Sequence, residues 1–274
     1  MQAELTRDCF QCFGLCCVAL PYRKSADFPD DKESGEPCRH LRKDFLCKVH
    51  DQLRERGFHG CVSYECFGAG QKVSQLIYAG NDWRTHPSTS EEMFRVFPVV
   101  QQLQEMMVYV NQCMQLEETA PFHKQLGELY DTIRTQTLQS PEEIMSTDIA
   151  HYRTEVSGWL NRSSDAYRTQ KKKRNVLLHK KGTDCIEVNF SNQDLSHESF
   201  RGRLMIAANF TYSDLRRCDF LGADVRGAKF HGANLSGALF LTLAQLNSAK
   251  GDANTIIPEH LQVPDHWLTH KERW

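Results

Sequence analysis

A five-residue period runs through the C-terminal third of this chain and limits what that part can fold into. A large apolar residue recurs at every fifth position without a break: Phe190, Leu195, Phe200, Met205, Phe210, Leu215, Phe220, Val225, Phe230, Leu235 and Phe240. Neither the 3.6-residue period of an α-helix nor the two-residue period of a strand produces this spacing. The pattern therefore predicts a repeat architecture.

Two further sets of residues accompany the large ones. Small residues come two positions earlier, at Ala208, Ser213, Cys218, Ala223, Ala228, Ala233 and Ala238. Asp or Asn comes one position earlier, at Asn189, Asp194, Asn209, Asp214, Asp219, Asp224 and Asn234. We interpret each unit as one side of a solenoid coil, with large and small residues inward and coils stacked about 4.8 Å apart. Asp and Asn suit the corners because their side chains bond nearby backbone.

Units such as Ala223-Asp-Val-Arg-Gly and Ala233-Asn-Leu-Ser-Gly resemble those of the pentapeptide-repeat family. The resemblance implies a right-handed quadrilateral β-helix from residue 186 to about 250. Some members of that family inhibit topoisomerases by resembling DNA, which requires a long acidic rod. Residues 186–255 carry seven acidic and seven basic residues, and eleven units at four per coil make fewer than three coils. We therefore disfavour a DNA mimic and expect a short scaffold.

Both ends of the repeat region depart from the pattern. The early units carry Gln193, Glu198 and Arg203 where a small residue belongs, so we expect the first coil to be irregular or to act as a cap. After Phe240 the period slips by one residue. Apolar residues in the tail, residues 256–274, are expected to close the open end, which such arrays need for solubility.

The N-terminal segment is dense in cysteine. Eight of the eleven cysteines of the chain lie there: Cys9, Cys12, Cys16, Cys17, Cys38, Cys47, Cys61 and Cys66. No apolar run has the length of a secretory signal or of a membrane span, so we expect a cytoplasmic chain without a membrane partner. In a reducing cytosol, clustered thiols favour metal binding over disulfides. The eight cysteines are therefore the candidate metal ligands.

The order of these cysteines resembles that of the CxxCxxCC family of zinc- or iron-chelating proteins. An early cluster, Cys9-x2-Cys12-x3-Cys16-Cys17, is followed by Cys38-x2-Leu41, by Cys47, and by a final pair of cysteines. The resemblance implies a bound metal, either zinc or an iron–sulfur cluster. One relative, which methylates flagellin lysines, is held to use an iron–sulfur cluster, and this keeps an enzyme open.

The number of available ligands does not decide between zinc and an iron–sulfur cluster. A tetrahedral zinc takes four ligands, whereas eight cysteines and His40, His50 and His59 are available. Two zinc sites, or one iron–sulfur cluster with spare thiols, both use this supply. Zinc would staple a segment that is poor in aliphatic residues, whereas an iron–sulfur cluster would perform redox or group-transfer chemistry on a protein substrate. No catalytic triad, carboxylate pair or nucleotide signature decides whether the chain is an enzyme.

The middle of the chain shows helical periodicity. One long amphipathic helix is predicted from Phe94, Phe97, Val100, Leu103, Met107, Val110 and Met114. A second is expected after Ala120-Pro121, with Leu126, Leu129, Tyr130 and Ile133 inward. A third begins at the N-cap Ser140, with Pro141 and the capping-box Glu143, and its apolar stripe continues to Leu160.

Together these patterns predict an α+β chain in several parts. Residues 1–75 form a small cysteine-rich metal-binding module, 76–180 a helical connector, 181–255 the repeat solenoid and 256–274 a cap. The net charge of −2 provides no field to hold nucleic acid, so we expect a protein partner. The preferred function is a metal-binding protein-interaction scaffold, and the alternative is an iron–sulfur enzyme.

Overall fold

The structure is a computed structural model that describes residues 3–169 and 184–268. The chain divides into two compact units, Met1–Asn161 and Arg162–Trp274. The expected boundary between helical connector and solenoid at residue 180 lies outside the described residues. The sequence also has a dense basic run, Lys171–Arg174. This run and the end of the expected cap, residues 269–274, lie outside the described residues as well.

The cysteine-rich segment folds into short elements. Its α-helices are α1 (Leu15–Val18), α2 (His59–Ser63) and α3 (Ala69–Gln71), and a π-helical stretch, Lys72–Ile77, follows α3. Single 3-10 turns lie at Ala3–Leu5, Cys9–Gln11, His50–Gln52 and Pro87–Thr89. Two isolated antiparallel bridges, Tyr22 with Lys32 and Leu41 with Cys47, hold the loops between them.

Four helices follow: α4 (Ser90–Met114), α5 (His123–Gln136), α6 (Pro141–Met145) and α7 (Ile149–Tyr167), with a 3-10 stretch at Glu117–Phe122. The predicted long helix is confirmed as α4. The second is confirmed as α5, whose buried residues are the four predicted, Leu126, Leu129, Tyr130 and Ile133. No helix within the described residues is long and apolar enough to cross a membrane.

The third predicted helix is wrong in extent, because two helices replace it. The capping box at Ser140 and Glu143 is present, but α6 ends at Met145. The next three residues, Ser-Thr-Asp, have side chains that compete for helical backbone groups. Asp148 accepts a hydrogen bond from the His151 backbone N–H at 3.0 Å and so starts α7 separately.

The N-terminal unit has its main core on α4. Met93, Val96, Phe97 and Val100 of this helix are fully buried against residues of the cysteine-rich segment. That segment contributes Leu15, Val18, Ala19, Ala69 and Val73 to the same cluster. Because the short elements of the segment offer few aliphatic residues each, α4 supplies most of the apolar surface on which they pack.

The C-terminal unit is a four-sided solenoid. Parallel bridges join residues twenty positions apart along each side: 184–204–224, 189–209–229, 194–214–234 and 199–219–239. Five residues per unit and twenty per coil give four sides. Cys185 is fully buried at the repeat position before Phe190, so twelve inward residues, rather than the expected eleven, make three coils. The repeat of large apolar residues does not predict Cys185 as inward, because cysteine is smaller than the residues at the other repeat positions.

The predicted roles within each unit are confirmed. The seven small residues from Ala208 to Ala238 are all buried. Asn189 accepts a hydrogen bond from the Ser191 backbone N–H at 3.0 Å. The same bond, to the N–H two residues on, is made by Asp194, Asn209, Asp214, Asp219, Asp224 and Asn234. These side chains therefore fix the corners.

The first coil is regular, contrary to expectation. Its backbone bridges the second coil on all four sides. The long side chains that stand in the place of small ones bend back, since Arg203 Nε donates to the Ser199 carbonyl at 3.3 Å. Gln193 Nε2 reaches the Asn189 carbonyl at 3.5 Å in the same way. Of these three long side chains, only that of Glu198 is buried, and the coil remains regular around it.

The slip of the period after Phe240 has a structural counterpart. Lys229 bridges Lys250 and Asn234 bridges Ile256, so the spacing grows to 21 and 22 residues. Helix α8 (Leu243–Ser248) takes up the extra residues. A last short helix, α9 (Asp265–Leu268), buries Trp267, whose Nε1 donates to the Ala249 carbonyl at 3.2 Å. The described part of the tail thus covers the end of the solenoid.

We expect Phe210→Ala to destabilise the solenoid by about 3–5 kcal/mol, because it leaves a cavity in a fully packed stack. The Phe210 ring is fully buried between Phe190, at 5.1 Å, and Phe230, at 5.3 Å between ring centroids. Leu204→Ala, on the outer surface of the same coil, should cost less than about 1 kcal/mol. Hydrogen exchange of peptides from residues 184–268 measures both, and equal effects would contradict the packing described.

Candidate metal site in the cysteine-rich segment

A tight turn at Gly14 brings the first cysteines together. Gly14 has a φ of 67°, in the left-handed region that favours glycine. A Cβ at this position would lie 2.9 Å from the Phe45 carbonyl oxygen and 2.7 Å from a Leu41 methyl carbon. The chain therefore reverses between Cys12 and Cys16 in a way that no other residue permits without displacement.

Backbone contacts place the middle cysteines beside this turn. The Cys38 N–H donates to the Cys17 carbonyl at 2.8 Å. The bridge between Leu41 and Cys47 returns the chain toward Cys38. On the same side, the Tyr22 hydroxyl donates to Cys38 Sγ at 3.7 Å, a distance compatible with a hydrogen bond to sulfur.

Cys66 approaches Cys12 across Gly70. A Cβ on Gly70 would lie 2.6 Å from Cys12 Sγ and 4.0 Å from Cys66 Sγ. The absence of a side chain at Gly70 thus leaves the space in which both sulfurs lie. The Ala69 N–H donates to the Cys66 carbonyl at 2.9 Å and fixes the start of α3 at this point.

The thiols pack against two different apolar clusters: Cys12 and Cys66 against the cluster on α4, and Cys47 and Cys61 against Val49, Leu53 and Phe58. Cys9, Cys12 and Cys66 are the first thiol group. Burial, together with the neighbouring Cys16 and Cys66, raises the pKa of the Cys12 thiol to about 12. Burial also raises the pKa of Cys9 and of Cys66, and Cys16 adds to the rise in both.

Cys38, Cys47 and Cys61 are the second thiol group. Burial raises the pKa of Cys61 to about 12, with Cys16, Cys38 and Cys47 adding to it. Burial raises the pKa of Cys47 as well. Cys16 thus acts on both groups, and its Sγ lies 4.0 Å from that of Cys17. The adjacent pair stands at the junction of the two groups.

A buried lysine lies beside the thiols. Lys32 is only 5% exposed, and its Nζ donates to the carbonyls of Val18, Glu33 and Glu36 at 3.1, 2.9 and 3.0 Å. Burial lowers the Lys32 pKa, while Cys38, Cys17 and Cys16 oppose this effect. Its charge therefore offsets part of any charge on these thiols. The sequence gives no signal for this role, because Lys32 lies outside every cysteine motif.

A half-buried tyrosine, Tyr64, is the second residue that the sequence does not single out. Burial raises the Tyr64 pKa above its ordinary range, and Cys16, Cys66 and Cys12 raise it further. The Tyr64 hydroxyl is buried and has no hydrogen-bond partner. His40, one of the histidines available as a ligand, has a buried Nδ1 without a partner and packs edge-on against Phe58 at 5.3 Å.

All eight predicted ligands are free thiols. The structure places Cys16 Sγ 4.0 Å from Cys17 Sγ, and it places the sulfurs of Cys12 and Cys66 beside Gly70. In the portion of the chain that is described, no set of three or more His, Cys, Asp or Glu side chains is arranged to hold a metal ion. The chemistry of the donors nevertheless suits a soft metal, since thiolates gathered in a buried place need a cation to offset their charge. Metal binding by these residues stays a prediction.

We expect Gly70→Ala to destabilise the N-terminal unit by about 1–3 kcal/mol, because the added methyl overlaps Cys12 Sγ. Gly127→Ala is the matched control, since nothing lies within 4 Å of the Cβ it adds in α5. That change should stabilise the helix by about 0.5–1 kcal/mol. Denaturant unfolding measures the two signs. A Gly70→Ala protein as stable as the original would contradict the close approach.

Comparison with known proteins agrees with the solenoid. Residues 183–220 and 204–240 match the family model described as pentapeptide repeats. The chain is 46% identical over 267 residues to the uncharacterized protein YybG of Bacillus subtilis strain 168, a match covering 96% of this chain and 95% of YybG.

Two solved structures of cyanobacterial pentapeptide repeat proteins are also similar in part. Rfr23 of Cyanothece 51142 is 25% identical over 27% of this chain and about half of its own, 53%, with a TM-score of 0.22. The protein alr5209 of Nostoc Pcc 7120 is 24% identical over 32% of this chain and 84% of its own, with a TM-score of 0.15. From its repeats and its similarity to YybG along nearly the whole length, the chain belongs to the pentapeptide-repeat protein family.

Proposed function

We propose that the chain is a cytoplasmic metal-binding protein that acts as a protein-interaction scaffold through its pentapeptide repeats. The observation that supports metal binding is the close approach of thiols from separate parts of the first 66 residues. A Cβ on Gly70 would lie 2.6 Å from Cys12 Sγ and 4.0 Å from Cys66 Sγ, although these two cysteines are far apart in sequence. Packing alone does not require thiols at these positions, whereas soft metals do.

The two thiol groups bear on the number of metal ions. Each group offers three thiols, and the pair Cys16 and Cys17 at their junction offers one more to each. Two sets of four thiolates suit two zinc ions, each of which takes four ligands. When bound, zinc would crosslink loops that otherwise meet through backbone hydrogen bonds such as that from the Cys38 N–H to the Cys17 carbonyl.

An iron–sulfur enzyme acting on a protein substrate is the second candidate. The surplus of thiols over the needs of one zinc favours it, and so does the exposure of Cys9, which opens one edge of the first thiol group to other molecules. An iron–sulfur cluster, when bound, would supply electron transfer or group-transfer chemistry. Cys12 and Cys66, which are more buried than Cys9, would then hold the cluster away from water.

The proposed role as a protein-interaction scaffold is supported by the outer surface of the solenoid. Within the C-terminal unit, the end of α7 covers the side through Asp219, because Ser164 Oγ donates to the fully buried Asp219 carboxylate at 2.6 Å. Elsewhere on the surface, Leu204 is 44% and Tyr212 64% exposed. Exposed aromatic and aliphatic side chains of this kind suit a protein partner.

Charges on this surface cancel locally. Arg216 pairs with Asp214, and Arg226 with Asp224, each at 2.6 Å. Nucleic acid binding requires basic side chains that are free to meet phosphates. Paired arginines of this kind therefore favour a protein partner over nucleic acid, as the equal numbers of acidic and basic residues do.

Anaerobically purified protein should contain stoichiometric metal. Elemental analysis, acid-labile sulfide and the visible absorption spectrum distinguish the two candidates. Colourless protein with zinc would exclude the iron–sulfur enzyme, and brown protein with iron and sulfide would exclude structural zinc. Protein without metal would contradict both.

Cysteine variants test the ligands in the same preparation. Cys12→Ser and Cys66→Ser should each lose metal, because each removes a thiolate from the first thiol group. Cys113→Ala is the control, since Cys113 is buried in α4 and belongs to neither group. Equal metal content in all three proteins would show that the assignment of ligands is wrong.

A photo-crosslinking amino acid at position 212 should capture a defined protein in cells that make this chain. Tyr212 is exposed at a corner of the solenoid, so the replacement leaves the buried stack intact. The same amino acid at Leu268, which is 53% exposed near the covered end, is the control. If both positions gave the same adducts, or position 212 gave only nucleic acid, the proposed interaction surface would be wrong.

A further inference from the structure

Tyr64 lies where the cysteine-rich segment packs on α4. It directly follows α2, with a φ of −77° and a ψ of 136° that turn the chain toward Cys66. Its side chain packs in the same apolar cluster as Cys12, Cys16 and Cys66. The phenol ring thus packs against the same core as three of the candidate ligands.

The hydroxyl of this residue stands out from those of the other tyrosines. Tyr78 donates to Glu92 at 2.9 Å, and Tyr130 donates to Glu4 at 3.2 Å. Among the tyrosines of the described residues, only Tyr64 has a buried hydroxyl without a hydrogen-bond partner. Native proteins rarely bury a polar group in this way, because the group loses its bonds to water. Such a hydroxyl indicates a partner that arrives with a ligand.

The second thiol group already has a donor of this kind. The Tyr22 hydroxyl donates to Cys38 Sγ at 3.7 Å. Tyr64 packs against the same cluster as Cys12 and Cys66 of the first thiol group, but its hydroxyl has no bond to a sulfur. A thiolate accepts hydrogen bonds better than a thiol does, since ionised acceptors make the stronger bonds. Metal binding, which deprotonates the cysteines, would create the missing acceptor.

We propose that the Tyr64 hydroxyl donates a hydrogen bond to a thiolate sulfur of the metal centre held by Cys12, Cys16 and Cys66. This inference rests on the proposed metal binding. Tyr64 is then a positioning residue: it orients one sulfur and withdraws charge from it, but does not itself bind the metal. Outer-shell partners of this kind contribute about 10–100-fold to metal affinity.

The test compares Tyr64→Phe with the original chain, using Co²⁺ as the probe under reducing, anaerobic conditions. Phe keeps the ring and removes only the hydroxyl. Chelator competition should give an affinity for Co²⁺ about 10–100-fold weaker, with a shift of the thiolate-to-cobalt absorption bands. Tyr78→Phe, which removes a hydroxyl bonded to Glu92 in the same unit, should leave affinity and bands unchanged.

A second measurement does not depend on the metal. Without metal, Tyr64→Phe should be at least as stable as the original chain, because it removes an unpartnered buried hydroxyl. With metal, its gain in melting temperature should be smaller than that of the original chain. A clear loss of stability without metal would mean that the hydroxyl already has a partner, and would overturn the inference.

The outcomes separate this inference from the proposed function. If the original chain binds metal and Tyr64→Phe matches it in affinity and spectrum, the role of Tyr64 is wrong and metal binding stands. If the original chain and the Tyr78→Phe control both fail to bind metal, the proposed function fails and the inference fails with it.

Discussion

The N-terminal unit depends on the apolar face of α4. The cysteine-rich segment consists of helices of three to five residues and isolated bridges, and such elements cannot bury a core by themselves. Val96, Phe97 and Val100 of α4 supply the surface, and Leu15 and Val18 bury their side chains against it. Cys12, Cys16 and Cys66 pack against the same cluster. A metal is therefore not needed to provide the core, which changes what it would contribute.

Because packing already supplies the core, a metal would contribute mainly by offsetting the negative charge of ionised thiols. Burial and mutual repulsion both raise the pKa of thiols in the two groups, so ionising several of them together is costly. Lys32 and the Tyr22 hydroxyl each offset a small part of that cost. A divalent ion would offset much more of that cost. Its binding energy would then favour the deprotonation of thiols that are already in place. If the proposed metal binds, it would select an ionisation state more than it would select a fold.

The repeat could be predicted from sequence in detail because its contacts are periodic. A side chain at one position meets the one twenty residues later, so the spacing of Phe190, Phe210 and Phe230 already contains the register. The break between α6 and α7 was missed because the apolar stripe continues across it, while three small polar residues end the first helix. The grouping of the thiols was not predictable, since it depends on turns such as Gly14 and on approaches such as Gly70 to Cys12. Lys32 and Tyr64 belong to no motif, and only the path of the chain places them.

The local pairing of charges on the solenoid also constrains how a partner would bind. The guanidinium groups of Arg216 and Arg226 each bind a carboxylate two residues away in the same coil. A partner that competed for them would have to break bidentate contacts that the corner geometry already holds in place. Affinity would therefore come from shape and from exposed apolar groups such as Tyr212 and Leu204, and it would depend only weakly on salt. If the proposed scaffold function holds, binding would fall less steeply with salt than the binding of nucleic acid does.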